Sequence, residues 1–322
     1  MNNRTFHKVA DEFDFHLIET HPILDIAARF WVDERYNAFK TCYTLMRPID
    51  DLVDGRKAVG KKISEAELEQ MTAEIRGWVD SIDIKIPLDE KQKRLQEAIK
   101  EFQLPFWPWE GFSQAMLYDL HHDRFRTINE FLKYAEGAAV GPGSIFLHLC
   151  GAVRENGSYR PPDFDVKRGA CPLAIFSYLV HIVRDFQKDQ KDNINFFAED
   201  LIEKNGLTVE MLREIAEGGE IGPGFRNLMK EYSILIEIFQ EKARDAIDEL
   251  ATYLAPRYLL SLEIIYKLYT LVFERFDCQN GRFDAEELNP SPQEFLNRIY
   301  KTISKYESNA GVEPGVSSIE MD

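Results

Sequence analysis

Cysteine is scarce in this chain, positive charge is outnumbered, and no apolar run approaches the ~18 residues of a membrane span. Each shortage excludes something. The four cysteines, Cys42, Cys150, Cys171 and Cys278, lie far apart, and all but Cys278 sit among apolar neighbours. They read as reduced core residues of a cytoplasmic protein, neither a disulfide framework nor a zinc set. With 39 basic against 55 acidic residues and a formal charge of -16, the chain has no basic stripe to track a nucleic-acid backbone. Docking on an anionic membrane through a basic patch is disfavoured for the same reason. The N-terminal Met-Asn-Asn-Arg-Thr-Phe-His-Lys lacks the apolar core of a signal peptide, so any contact with lipid is expected to be peripheral.

What is present is helical periodicity. The 322 residues are 44% hydrophobic and 29% charged, an ordinary globular composition with ample length for a buried core. Apolar residues recur at intervals of three and four and no convincing alternating strand set appears, so the fold class is all-α. Helices are expected over about 23–54, 64–82, 88–102, 109–121, 127–150, 166–190, 208–216, 223–252, 257–275 and 292–306. Breakers separate them, among them Asp54-Gly55, Leu104-Pro105, Arg160-Pro161-Pro162, Gly222-Pro223-Gly224 and Asn289-Pro290-Ser291-Pro292. None is long enough for a clear domain linker, so residues 1–306 read as one helical domain. Residues 307–322 hold no basic residue and no apolar stripe, and read as a disordered acidic tail.

Three carboxylates, Asp50, Asp51 and Asp54, fall on little more than one helical turn, with Arg47 one turn earlier. Carboxylates four apart repel by a few tenths of a kcal/mol on an isolated helix, and their neighbours Ile49, Leu52 and Val53 look buried. On the same helix Phe39, Cys42, Met46, Ile49 and Val53 form the apolar face, while Tyr43, Arg47, Asp50 and Asp54 form a second stripe beside it. A solvated helix end would explain any one pair of acids. It does not explain Tyr43 and Arg47 in register with acids that alternate with apolar residues. A Mg²⁺ ion carrying a phosphate-bearing ligand suits the set, because Mg²⁺ is typically held by one or two carboxylates plus substrate phosphates and Arg donates a fork to phosphate oxygens.

The arrangement recurs over 176–192. Tyr178, His181, Asp185, Asp189 and Asp192 share a stripe, Leu179, Ile182, Val183 and Phe186 supply core, and Arg184 adjoins Asp185. A helix this apolar is buried, so Arg184 and Asp185 require partners or a polar cavity. Taken alone, a structural Arg184–Asp185 ion pair is as good an account as a site. Two acidic stripes, each with an Arg, favour one cavity holding Mg²⁺ between them. His181 is a candidate metal ligand, although a lone His on a buried face is more often a hydrogen-bonded core residue. Between the stripes, Phe131 and Tyr134 precede a run of small residues, and Pro142 with its glycines is expected to kink that helix. Ring faces of Phe131 and Tyr134 suit a cation.

These residues resemble the squalene/phytoene synthase family, the head-to-head branch of the all-α trans-prenyltransferases. Its first signature, Tyr-x-x-x-Arg-x-x-Asp-Asp-x-x-Asp, is filled by Tyr43, Arg47, Asp50, Asp51 and Asp54; its second, Arg-Asp-x-x-x-Asp, by Arg184, Asp185 and Asp189. Tyr134 to Gly143 loosely matches its Tyr-Cys-x-x-Val-Ala-Gly-x-Val-Gly stretch. The resemblance covers about residues 20–275. It implies a helical bundle whose central cavity binds farnesyl or geranylgeranyl diphosphate through two or three Mg²⁺ ions, with the five aspartates as ligands. Tyr43, Arg47, Tyr134, Tyr178 and Arg184 are then the substrate contacts. It further implies ionisation of an allylic diphosphate and condensation of two through a cyclopropyl intermediate, in a dry cavity. Contact with a membrane would serve release of the apolar product. NADPH use is left open, since no Gly-x-Gly-x-x-Gly loop follows a strand and the family does not use one.

Three departures stand out. Tyr178 and His181 occupy the family's Gln and Asn positions, and the Asn normally helps hold metal. Asn193 to Ala198 replaces Gly-Arg-x-Tyr-x-Pro and loses an Arg, and His21-Pro22-Ile23-Leu24-Asp25 keeps little of His-Ser-x-Ser-Phe. These losses fall on second-substrate contacts, so a terpene cyclase acting on a single prenyl diphosphate is the alternative enzyme. A non-catalytic relative acting as an assembly factor is a further alternative, against which the retained aspartates argue. A purely structural helical protein explains the acidic ends but not Tyr43 and Arg47.

Overall fold

The computed structural model describes residues 23–82 and 89–309, with Phe6 and Ala10 in addition; His21, Pro22 and residues 310–322 of the expected tail lie outside the described residues. Helix α1 (Ile23–Ala28) is followed after a turn by α2 (Asp33–Ala58), then α3 (Glu65–Ile82), α4 (Glu90–Phe102) and α5 (Trp107–His121). Next come α6 (Ile128–Ala135), a π-helical turn (Glu136–Val140) and α7 (Gly141–Gly151), with a hairpin of β1 (Val153–Glu155) and β2 (Ser158–Arg160). The second half holds α8 (Val166–Arg184), α9 (Phe186–Lys191), α10 (Glu199–Lys204), α11 (Val209–Ala216), α12 (Pro223–Leu250), α13 (Pro256–Phe273), α14 (Ala285–Leu288) and α15 (Pro292–Asn309). Among the described residues the fold is all-α apart from that hairpin.

Local chemistry starts these helices where the sequence places it. Asp89, Thr127, Asp165 and Thr208 each accept a backbone N–H three residues on, capping α4, α6, α8 and α11. Pro223, Pro256 and Pro292 open α12, α13 and α15, where a missing N–H costs nothing. On α2 the expected apolar face is buried at Phe39, Cys42, Met46, Ile49 and Val53, with Leu52 only partly covered. Helix α8 is the hub, packed against α7, the π-helical turn, α12 and α13. Contrary to the expectation that no segment approaches a membrane span, it is by length and composition alone apolar enough to cross one. Its neighbours account for that apolarity as core.

Four expectations change in detail. The single helix expected over 23–54 breaks at Arg29–Val32 and resumes to Ala58; there Trp31 Nε1 donates to Ser261 Oγ (2.8 Å), which donates to the Ala27 carbonyl (2.8 Å), pinning the break to α13. The helix expected over 127–150 is interrupted by the π-helical turn just ahead of Pro142. Proline lacks an N–H and crowds the carbonyl four residues back, and here the Gly141 N–H reaches the Glu136 carbonyl five residues back instead. The helix expected over 166–190 pauses at Asp185. The hairpin was not among the expected elements; its local signal is Asn156-Gly157, both at positive φ, the pairing that two-residue turns demand. At the far end, α15 continues to Asn309, three residues past the expected limit of 306.

Arg35 joins both halves. Its guanidinium donates to the carbonyls of Leu149 (2.5 Å), Cys150 (3.0 Å) and Ala152 (2.6 Å) at the end of α7 and lies 4.3 Å from the Tyr258 ring centre. A buried cation thereby satisfies carbonyls that no helix partner can reach. Arg35→Ala is expected to cost about 3 kcal/mol, because charged hydrogen bonds are lost and buried carbonyls are left unpaired. Urea denaturation checks this; a loss below about 1 kcal/mol contradicts it.

Candidate active site

One end of each stripe reaches one cavity of about 1220 Å³, counting its open mouth; of the five aspartates only Asp50 lines it, while Asp51, Asp54, Arg184, Asp185 and Asp189 lie outside its wall. Tyr43, Arg47, Asp50, Tyr178 and His181 line its polar end. The rest of the wall is apolar, supplied by α7, α8, α12 and α13 through residues such as Phe146, Leu173, Ile247 and Ile265. An amphiphile with a charged head and a long apolar body matches that division.

The five aspartates fall into two groups by their partners. Arg47 holds Asp50 (3.2 Å) and Asp51 (2.9 Å), and Asp51 with Arg47 is more than half exposed. Arg184 clamps Asp185 with two bonds, Nε to Oδ1 at 2.7 Å and an amino group to Oδ2 at 2.8 Å. Asp54 and Asp189 have no such clamp. The nearest cation to Asp189 is Lys188, 3.9 Å away and mostly exposed, while Asp189 itself is only 8% exposed. Burial first, then the like charges of Asp50 and Asp119, push the Asp54 carboxyl up to about 7. Burial, then Asp185 and at longer reach Asp54, push Asp189 up to about 8. Charges on the two motifs therefore feel one another. In contrast Asp185 is held below the ordinary carboxylate range: burial opposes its charge, but the His181 ring and the Arg184 guanidinium outweigh it.

His181 is occupied on both sides. Arg184 donates to Nδ1 (2.8 Å), and Nε2 lies 3.2 Å from Asp185 Oδ2, within ion-pair distance. Desolvation keeps the ring neutral, well below the ordinary imidazole value. A metal bond from His181 would require giving up one of these contacts. Tyr134 is buried outside the cavity wall, with its hydroxyl 3.5 Å from that of Tyr178. Around them Phe131 stacks on Tyr178 (5.7 Å, 3°), and Phe196 lies 6.1 Å from Tyr178 and 6.3 Å from Tyr134. The loop expected to lack an Arg has put an aromatic ring against this cluster.

The comparisons with known proteins follow this geometry. A family model described as squalene/phytoene synthase matches residues 26–289. The chain belongs to the squalene/phytoene synthase family. Among curated relatives, the chloroplastic phytoene synthase of an Oncidium hybrid cultivar is 24% identical over 217 residues, 67% of this chain and 50% of the relative. The phytoene synthase of Thermus thermophilus is 27% identical over 187 residues, 58% of this chain and 57% of that relative. The chain thus spans about half the length of the curated relatives it matches. Among solved structures, a dehydrosqualene synthase in complex with ligand superposes with a TM-score of 0.66 at 15% identity, covering 95% of this chain and 98% of the other. Squalene synthase HpnC from Alicyclobacillus acidocaldarius superposes with a TM-score of 0.56 at 15% identity, covering 93% of each chain. These structural likenesses establish the fold.

Two polar residues near the site escaped the sequence reading. Lys57 extends the Asp50, Asp54 stripe by one more turn, and its ammonium donates to Asp119 Oδ1 (2.5 Å) and the His122 carbonyl (3.2 Å). Asp119 is 3% exposed and stands among Met116, Leu117 and Leu120 on α5. A lone Asp in an apolar helix was the available signal, since a buried charge requires a partner. Tyr269 on α13 was missed too, lining the cavity within electrostatic reach of Tyr43, Arg184 and Asp185.

Proposed function

We propose that this protein is a Mg²⁺-dependent prenyltransferase that ionises an allylic prenyl diphosphate and joins two of them head to head. The observation that carries it is the single cavity with Arg47, Asp50, Tyr178 and His181 at one end and an apolar wall beyond. The donor set fits Mg²⁺. Asp54 and Asp189 are crowded carboxylates without clamping cations, and among the described residues no three metal-binding side chains form a ready-made cage. That suits an ion held by one or two carboxylates and completed by substrate phosphates. Asp50 and Asp54 on one motif and Asp189 on the other would hold such ions, one or two carboxylates to each, and when bound they would supply neutralisation of the departing diphosphate.

The chain's own groups do the rest. Arg47 is more than half exposed and presents donors to phosphate oxygens at the mouth. The C1–O bond breaks with its electron pair leaving on diphosphate, and the alkene of a second chain attacks C1 and then loses a proton. Apolar walls exclude water from the cation, and ring faces such as Phe146 and Tyr178 stabilise it. One observation favours cyclisation of a single substrate as the second reading: Arg184, Asp185 and His181 satisfy one another, so less of the second motif is free for a second diphosphate.

Incubation with farnesyl or geranylgeranyl diphosphate and Mg²⁺ is expected to release diphosphate and yield a dimeric product by mass. A cyclised monomer would transfer the assignment to the second reading. Folded protein releasing no diphosphate from either would sink both.

A further inference from the structure

A closed frame of contacts joins the two acidic motifs. Its first member is Lys57, one turn past Asp54 on α2, with a side chain only 10% exposed. The ammonium meets three acceptors at the end of α5: Asp119 Oδ1 (2.5 Å), the His122 carbonyl (3.2 Å) and the Asp119 carbonyl (3.3 Å). A lysine has three N–H groups, so none is left for a phosphate oxygen. Beyond α5, the Glu199 N–H donates to the Phe125 carbonyl (2.8 Å) and the Asp200 N–H to the Arg126 carbonyl (3.1 Å). The segment after α5 thereby holds the segment that follows the second motif.

Two loops close the frame. The Gly60 N–H donates to the Lys57 carbonyl (2.9 Å), and a Cβ on Gly60 would sit 2.8 Å from Asn193 Nδ2, so the end of α2 rests against the end of α9. The adjoining Ile194 N–H donates to the Asp189 carbonyl (2.8 Å). Both motifs are thus tied to the same few residues by short bonds. Groups that must act on one ligand are sensitive to such ties, since a misplacement of ~1 Å from a change far from the chemistry can cost ~10²-fold.

We propose that Lys57 is a positioning residue: bound to the end of α5, it fixes the aspartates of α2 at the spacing from Asp185 and Asp189 at which both motifs serve one diphosphate and its Mg²⁺ ions. This rests on the prenyl diphosphate reading above and adds to it the residue that sets the spacing. Asp119 is the anchor. Its charge lies within electrostatic reach of Asp50 and Asp54, so removing Lys57 alone would leave an unpaired acid near the motif and mix an effect of charge with one of position.

The paired variant Lys57→Met/Asp119→Leu removes the tie and keeps the net charge. Replacing a buried ion pair by apolar side chains of similar size is often neutral for stability or better, so its urea midpoint is expected to stay near wild type. Calorimetry with inorganic diphosphate in the presence of Mg²⁺ is expected to show binding at least about tenfold weaker than wild type. Should the paired variant not fold, Lys57→Gln/Asp119→Asn takes its place. The same loss is expected, because glutamine has two donors, is one bond shorter and cannot meet all three acceptors. A lowered midpoint with binding by the folded protein within about threefold of wild type would make the pair purely structural and overturn the role. Unchanged midpoint and unchanged binding would overturn it too. Wild-type protein that takes up no diphosphate with Mg²⁺ would instead sink the diphosphate reading on which the role rests.

Discussion

Asp189→Asn is expected to reduce diphosphate release at least about 10³-fold, on the order of 4 kcal/mol of transition-state stabilisation, and yet to make the metal-free protein more stable at alkaline pH. Both effects come from one cause. In the fold the Asp189 carboxyl keeps its proton up to about pH 8, pushed there by burial and by Asp185, whereas an aspartate in an unfolded chain releases it near ~4. The unfolded state therefore binds fewer protons between those values, and folding stability falls as pH rises from ~4 to about 8. Asparagine keeps the shape and removes that loss. In chelator, the melting temperature of the variant is expected to exceed wild type at pH 9 and to converge with it at pH 4. Mg²⁺ is expected to raise the wild-type melting temperature more at pH 9 than at pH 6, because protons compete for the same carboxylates. Asp50→Ala is likewise expected to lose turnover with its fold intact. Retained activity in Asp189→Asn would remove this carboxylate from the reaction, and melting curves that coincide at every pH would remove the crowding.

The pairing of costly charge with lost partners explains what the sequence made visible here. Tyr43, Arg47, Asp50 and Asp54 announced themselves because helical spacing places them on one stripe, and spacing is a local property. Which aspartate is clamped and which is left crowded depends on neighbours brought in by packing. Asp185 and Asp189 look equivalent in the motif; only the position of Arg184 and the kink at Asp185 separates them. The same holds for the cavity wall. Ile247, Leu250, Leu262 and Ile265 read as ordinary core residues of long helices, and nothing in their spacing distinguishes a residue that touches a ligand from one that touches another side chain. Asp119 and Asn156-Gly157 are different, since a lone acid among apolar residues and a two-residue turn both carry local signals that stand in the sequence. The helix from 127 to 150 lies between these cases. Its disturbance near Pro142 was readable, but the π-helical form it takes, with Gly137 set against the α5 backbone, was not.

That approach makes Gly137→Ala the most damaging small substitution expected in the fold. A Cβ at Gly137 would lie 2.2 Å from the Gly111 carbonyl oxygen and 2.8 Å from Ala115 Cβ. The obstructing atom is helix backbone, so no side chain can swing aside, and α5 and the π-helical turn must separate. A cost of about 4 kcal/mol or more is expected, in the range reserved for core disruption. Gly111→Ala is the matched control: its Cβ would meet only Gly137 Cα, at an ordinary 3.8 Å, and alanine favours a helix over glycine by about 1 kcal/mol. The two substitutions add the same methyl on opposite sides of one contact, yet urea denaturation is expected to show a large loss for one and none for the other. Because Ala138, Ala139, Pro142 and Gly143 follow directly and line the cavity, a folded Gly137→Ala protein is also expected to bind prenyl analogues more weakly. Equal stability of both variants would mean that the backbones do not meet at this point, and the cavity wall beside them would have to be redrawn.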